Sequence, residues 1–144
     1  MGVSTDAILF FGIDLGENNE FPWIDEEDGA DVESFIAAKL GVSRPDCEYE
    51  GNEKLFSDYW NKRREVMRNL GCDVGWHCSG SYPMCFVCLE KFNFSACRGY
   101  PQIIDPAVMQ TVSAEDIQKL KDFCELIEVE WQEPKWQLAS YWGE

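Results

Sequence analysis

The run DAILFFGI, residues 6–13, restricts the fold more than any other segment. Ile8, Leu9, Phe10, Phe11 and Ile13 are packed into eight positions, with Gly12 inside the run and Gly16 just beyond it. The run is too short for a helix and apolar on both alternating faces, so it reads as a central strand covered on both sides. Such a strand demands a sheet with other elements packed against it. The chain can supply them, because 45% of its 144 residues are hydrophobic and 14% are aromatic. That is enough for one packed core and too little length for a second full domain, so residues 1–144 read as a single domain.

Three helices follow from periodicity and capping residues. Asp31 is placed to cap VESFIAAKL, where Val32, Phe35, Ile36 and Leu40 recur at helical spacing and Gly41 follows the end. Asn52 is placed to cap the longest amphipathic stretch, 53–70, which stops at Gly71. On a helical wheel its Leu55, Phe56, Tyr59, Trp60, Val66, Met67 and Leu70 share an arc of about 140°, the width of a core-facing stripe. Arg63 projects into that arc, where a guanidinium must snorkel, find a carboxylate or line a cavity. Ser113 and Asp116 form a capping-box pattern ahead of Ile117, Leu120, Cys124 and Ile127, giving a helix over about 113–128.

Strands are expected at 6–13, 72–77, 84–91, 93–98 and 135–142. The turn residues Ser79, Gly80, Ser81 and Pro83 separate the second from the third, and Lys91 to Asn93 separate the third from the fourth. The expected class is therefore α+β, a mostly antiparallel sheet of four to five strands against three helices. The stretch 14–33 has Gly, Asn and Pro punctuation without periodicity and reads as a long surface loop.

Charge narrows the function. The chain has 27 acids, 12 bases and one histidine, a net charge of -15. A molecule this acidic lacks the cation surplus that grips phosphate backbones or anionic lipid, so neither direct nucleic-acid contact nor membrane binding is expected. No run of about 18 apolar residues and no basic leader occurs, which makes a cytosolic protein the expectation. The charge is uneven: residues 1–50 hold 13 acids and two bases, whereas 51–100 hold five acids and seven bases.

Asp14 to Glu33 carries nine acids and no base, interleaved with Phe21 and Trp23. As a solvated loop it would confer solubility. As a contact surface, Asp25, Glu26, Glu27 and Asp28 would steer toward a basic partner while Phe21 and Trp23 supplied the apolar anchor. A second candidate is a cationic pocket for a small anion or nucleotide, formed by Arg63, His77, Arg98 and Tyr100. The third is the cluster Cys72, His77, Cys78, Cys85 and Cys88, whose residue types suit zinc. Its spacing does not, since on a strand Cys85 and Cys88 face opposite ways. The same alternation separates His77 from Cys78 and weighs against a Cys/His nucleophile. Seven cysteines in a reducing compartment are expected to be free thiols, most of them buried. No cofactor is implied, and the oligomeric state is left open.

The segments VSTDAILFFGIDLGE, YEGNEKLFSDYW, GCDVGWHCSGSYPM, RGYP and WQLASYW together resemble a group of small uncharacterised proteins encoded by tailed bacteriophages. The resemblance spans nearly the whole chain and brings no reaction with it. It implies a non-structural protein made in the host cytoplasm, a setting in which acidic inhibitors of host defence or of nucleic-acid enzymes are frequent. The expected function is thus non-catalytic binding of a host protein that presents a basic surface.

Overall fold

The computed structural model describes residues 4–17, 20–25, 29–78 and 84–143. In chain order the elements are β1 (Ser4–Gly16), β2 (Ile24–Asp25), β3 (Gly29–Ala30), α1 (Val32–Lys39), α2 (Glu53–Leu70), β4 (Cys72–His77), β5 (Met84–Cys97), a 3-10 turn (Pro106–Gln110), α3 (Ala114–Leu126) and β6 (Lys135–Gly143). The fold is α+β. A four-stranded antiparallel sheet has the order β4-β5-β1-β6, and β2 pairs with β3 in a ladder of its own. The apolar run sits in β1, inside the sheet, as its composition requires.

The capping residues act largely as their sequence positions suggest. Asp31 accepts the Ser34 N–H at 3.0 Å, and Gly71 closes α2 in the left-handed conformation at φ 66°. The Ser113 hydroxyl accepts the Asp116 N–H at 3.1 Å while Asp116 accepts the Ser113 N–H at 3.0 Å, completing the capping box. Asn52 is an exception. Its side chain donates to the Glu48 carbonyl at 3.0 Å and makes no cap bond to α2. Leu55 and Trp60, placed in the α2 core stripe by periodicity, are 52% and 39% exposed, so the buried stripe is the narrower set Phe56, Tyr59 and Met67.

The strands expected at 84–91 and 93–98 are one strand, β5. In its pairing with β1, Phe10 lies opposite Asn93 but Gly12 lies opposite Cys88. Residues 89–92 therefore lie opposite Phe11 alone, an excess of three residues on the β5 side. An excess of residues on one strand bends it, adds twist and interrupts the ladder locally, and pairing resumes on either side. Lys91 and Phe92 thus sit in the bulge, Asn93 is already back in register opposite Phe10, and the chain does not reverse there.

The helices cover one face of the sheet, and the other face carries a cluster formed by the strands themselves. One face sets Phe11, Ile13, Cys72, Val74, Cys85, Val87 and Leu89 against Ile36 of α1, Met67 of α2, and Leu120, Phe123 and Cys124 of α3. The other carries a smaller cluster, Ile8, Phe10, Phe86 and Cys88, with Ala139 and Tyr141 against it. Two glycines make room for it: a Cβ on Gly12 would come within 1.9 Å of the Val87 carbonyl oxygen, and one on Gly75 within 2.1 Å of the Phe86 ring. Phe10 and Phe86 stack with centroids 4.1 Å apart. Among the described residues, no helix is long and apolar enough to cross a membrane.

Candidate functional site

His77 ends β4 on the face of the smaller cluster. Its ring lies 6.0 Å from Phe86 and 6.2 Å from Tyr141. Tyr141 belongs to β6, the opposite edge of the sheet, so the two edges approach one another and the sheet is concave on this side. Both imidazole nitrogens have polar neighbours. Nε2 is 3.6 Å from Asp14 Oδ1 and Nδ1 is 3.3 Å from the Cys78 sulfur. Asp14 also accepts the Gly16 N–H at 3.3 Å, which fixes its carboxylate at the end of β1.

The expectation that His77 and Cys78 point apart is therefore wrong for this pair. Alternation holds only while the backbone stays extended, and Cys78 has φ 70°. That left-handed turn takes the chain out of the strand and carries the thiol back over the imidazole. The arrangement joins a thiol, a base and a carboxylate beside the base, the elementary set of an activated nucleophile. Asp14 was one acid among nine in its stretch, and no sequence signal singled it out. The β4–β5 turn residues Ser79, Gly80, Ser81 and Pro83 lie outside the described residues.

The zinc grouping does not assemble. Cys85 belongs to the helix-covered core and Cys88 to the smaller cluster, as the strand period requires. Burial pushes the thiols of Cys72, Cys85 and Cys88 up to about 12, 11 and 12, which keeps them protonated in their apolar surroundings. Among the described residues, no group of three or more His, Cys, Asp and Glu is placed to hold a metal ion.

The cationic pocket does not assemble either. Arg63 donates to the Ser34 hydroxyl at 2.8 Å and lies 3.7 Å from Asp31 and 3.3 Å from Glu33. Its guanidinium also covers Trp60 at 4.3 Å from the ring centroid. Partial burial raises the Asp31 carboxyl, but the Ser34 hydrogen bonds and the charges of Arg63 and Arg44 outweigh it and hold Asp31 below the ordinary value. Arg63 is thus a clasp between α1 and α2, beside a cavity of about 220 Å³ lined by Glu33, Trp60, Arg64 and Met67. His77 is on the other face of the sheet, and Arg98 and Tyr100 are exposed after the end of β5. The four residues do not share one site.

Within the acidic segment, the stretch around Trp23 is packed against the body of the protein. Trp23 is 3% exposed, and its indole N–H donates to the Ile127 carbonyl at 3.0 Å. It cannot be the exposed anchor expected of it. Phe21 stacks on it at 4.9 Å and stays partly exposed. Glu26, Glu27 and Asp28 lie outside the described residues, and Asp25 belongs to β2. Trp23 ties this segment to the link after α3, where Leu15 and Phe21 line a small cavity with Val129, Glu130 and Gln132. Residues 122–134 contain Asp122, Glu125, Glu128, Glu130 and Glu133 and no base. Two acid-rich stretches about a hundred residues apart in sequence are thereby packed together.

Compared with known proteins, the chain matches no family model, no curated protein and no solved structure.

Proposed function

We propose that this chain is an acidic binding protein that docks a host protein through a basic surface of that partner, in the host cytoplasm. The observation that carries the reading is the joining of the two acid-rich stretches by the buried Trp23. Bringing two acid-rich stretches together concentrates negative charge and presents a cationic partner with a stronger field than either stretch alone. Phe21 remains available at the edge of that surface. Arg63, beside Asp31 and Glu33, and Lys39, which pairs with Glu128 at 2.9 Å, answer part of the charge. The resemblance to phage-encoded proteins supplies the host context, within which modulation of a defence or nucleic-acid enzyme is the expected outcome.

The experiment is affinity capture from host lysate with the wild-type chain and with Asp25, Glu26, Glu27 and Asp28 all changed to Lys, each at low and high salt. A charge-steered partner is retained by the wild type, weakened by salt as screening shortens to about 8 Å and below, and lost from the variant. Equal capture of the same protein by both chains, with circular dichroism confirming the fold, refutes the assignment.

A further inference from the structure

We propose that Cys78 is a nucleophilic thiol, with His77 as its proton acceptor and Asp14 as a positioning carboxylate, and that it exchanges with small disulfides that are neutral or positively charged. This goes beyond partner binding and uses the concave face of the sheet, not the acidic stretches.

The seven thiols divide sharply. Cys72, Cys85, Cys88 and Cys124 are buried, and burial pushes them up to about 12, 11, 12 and 11, so they are inert packing residues. Cys47 and Cys97 are exposed, and Cys78 is partly exposed. Of these three accessible thiols, Cys78 is held 3.3 Å from an imidazole nitrogen. With Asp14 on the Nε2 side, the ring is favoured with its hydrogen on Nε2, which leaves the Nδ1 lone pair facing sulfur. The same carboxylate stabilises the imidazolium once the thiol proton has moved.

Thiol–disulfide exchange asks for no more than this set. Cys78 Sγ gives its proton to His77 Nδ1 and attacks one sulfur of a disulfide R–S–S–R. The R–S–S–R bond breaks as the Cys78–S–S–R bond forms, and the departing thiolate takes the proton from His77 and leaves as R–SH. One disulfide is consumed and one is made, so no further oxidant or reductant enters. The charge preference follows from Asp14 beside the ring and the net charge of -15, both of which repel an anionic reagent.

The test uses the whole chain, with Cys47 and Cys97 as standards inside the same molecule. Cystamine, which is cationic, and glutathione disulfide, which is anionic, are each added at pH 7, and adducts at each cysteine are followed by peptide mass spectrometry. Cys78 is expected to react roughly tenfold or more faster than Cys47 or Cys97. Cystamine should outpace glutathione disulfide there, by a margin that shrinks with added salt. His77→Gln should bring Cys78 down to the rate of the other two while leaving those unchanged. Asp14→Asn should slow it, and Asp14→Glu should restore part of the rate, which a merely structural Asp14 would not do. Wild-type Cys78 reacting no faster than Cys47 and Cys97 overturns the proposal without any variant having to fold. So does an unchanged rate in folded His77→Gln, and faster reaction with glutathione disulfide overturns the charge preference.

Discussion

At the scale of single residues, Asp116 shows how one carboxylate can be decided by several partners. It is 4% exposed, it caps α3 through the Ser113 N–H, and the Lys91 ammonium lies 2.6 Å away. Burial raises its carboxyl, but Lys91 and the two Ser113 hydrogen bonds outweigh that and hold it below the usual 3.8. A depressed folded value means stability that is present above the unfolded value and lost as the pH falls through the folded one. Asp116→Asn should therefore cost about 1–2 kcal/mol at pH 7. The deficit should shrink as the pH is lowered through and below about 4, where the wild type loses the same interaction. Thermal melts of both proteins across that range check the sign; a deficit that stays constant down to pH 2 contradicts it. The cap was legible in sequence because it is local. Lys91 was not, because it reaches Asp116 only once β5 lies beside α3.

At the scale of elements, the β1–β5 pair is the part of the fold that sequence reading divided wrongly. Both halves of β5 have strand composition, and Lys91 to Asn93 resemble a turn; only pairing with β1 shows that the excess residues form a bulge. Gly12 makes the close approach at this point possible. An added Cβ there meets backbone, the Val87 carbonyl at 1.9 Å and the Cys88 Cα at 2.9 Å, and backbone cannot rotate away. At Gly75 the obstruction is the Phe86 ring, which has some freedom to shift. Gly12→Ala should cost about 3 kcal/mol or more and Gly75→Ala less, as overpacking of a core does. Urea midpoints should fall in that order, and a Gly12→Ala protein as stable as the wild type would show that the approach of the strands is looser than described. The extents of the helices needed less context, since periodicity and end signals act within a few turns of chain, but the failed Asn52 cap and the exposed Leu55 and Trp60 show that the width of the α2 stripe was set by its neighbours.

At the scale of the whole molecule, burial sorts the seven cysteines into two chemical populations. A water-soluble thiol reagent should modify Cys47, Cys78 and Cys97 in the native protein, and Cys72, Cys85, Cys88 and Cys124 only after unfolding in guanidinium. Titration of three thiols native and seven denatured is the expected stoichiometry, and early modification of any buried cysteine contradicts the packing. By itself the sequence determined the α+β class, the central apolar strand, most helix boundaries, the opposed directions of Cys85 and Cys88, and the acidity of the surface. All of these follow from periodicity, capping and charge, which act over a few residues or add without regard to position. Tertiary structure alone decided that Trp23 joins two distant acidic stretches, that Arg63 clasps α1 to α2, and that Asp14, His77 and Cys78 meet. Those outcomes depend on how the sheet coils and where one residue leaves the extended conformation, and neither is encoded in the spacing of the residues involved.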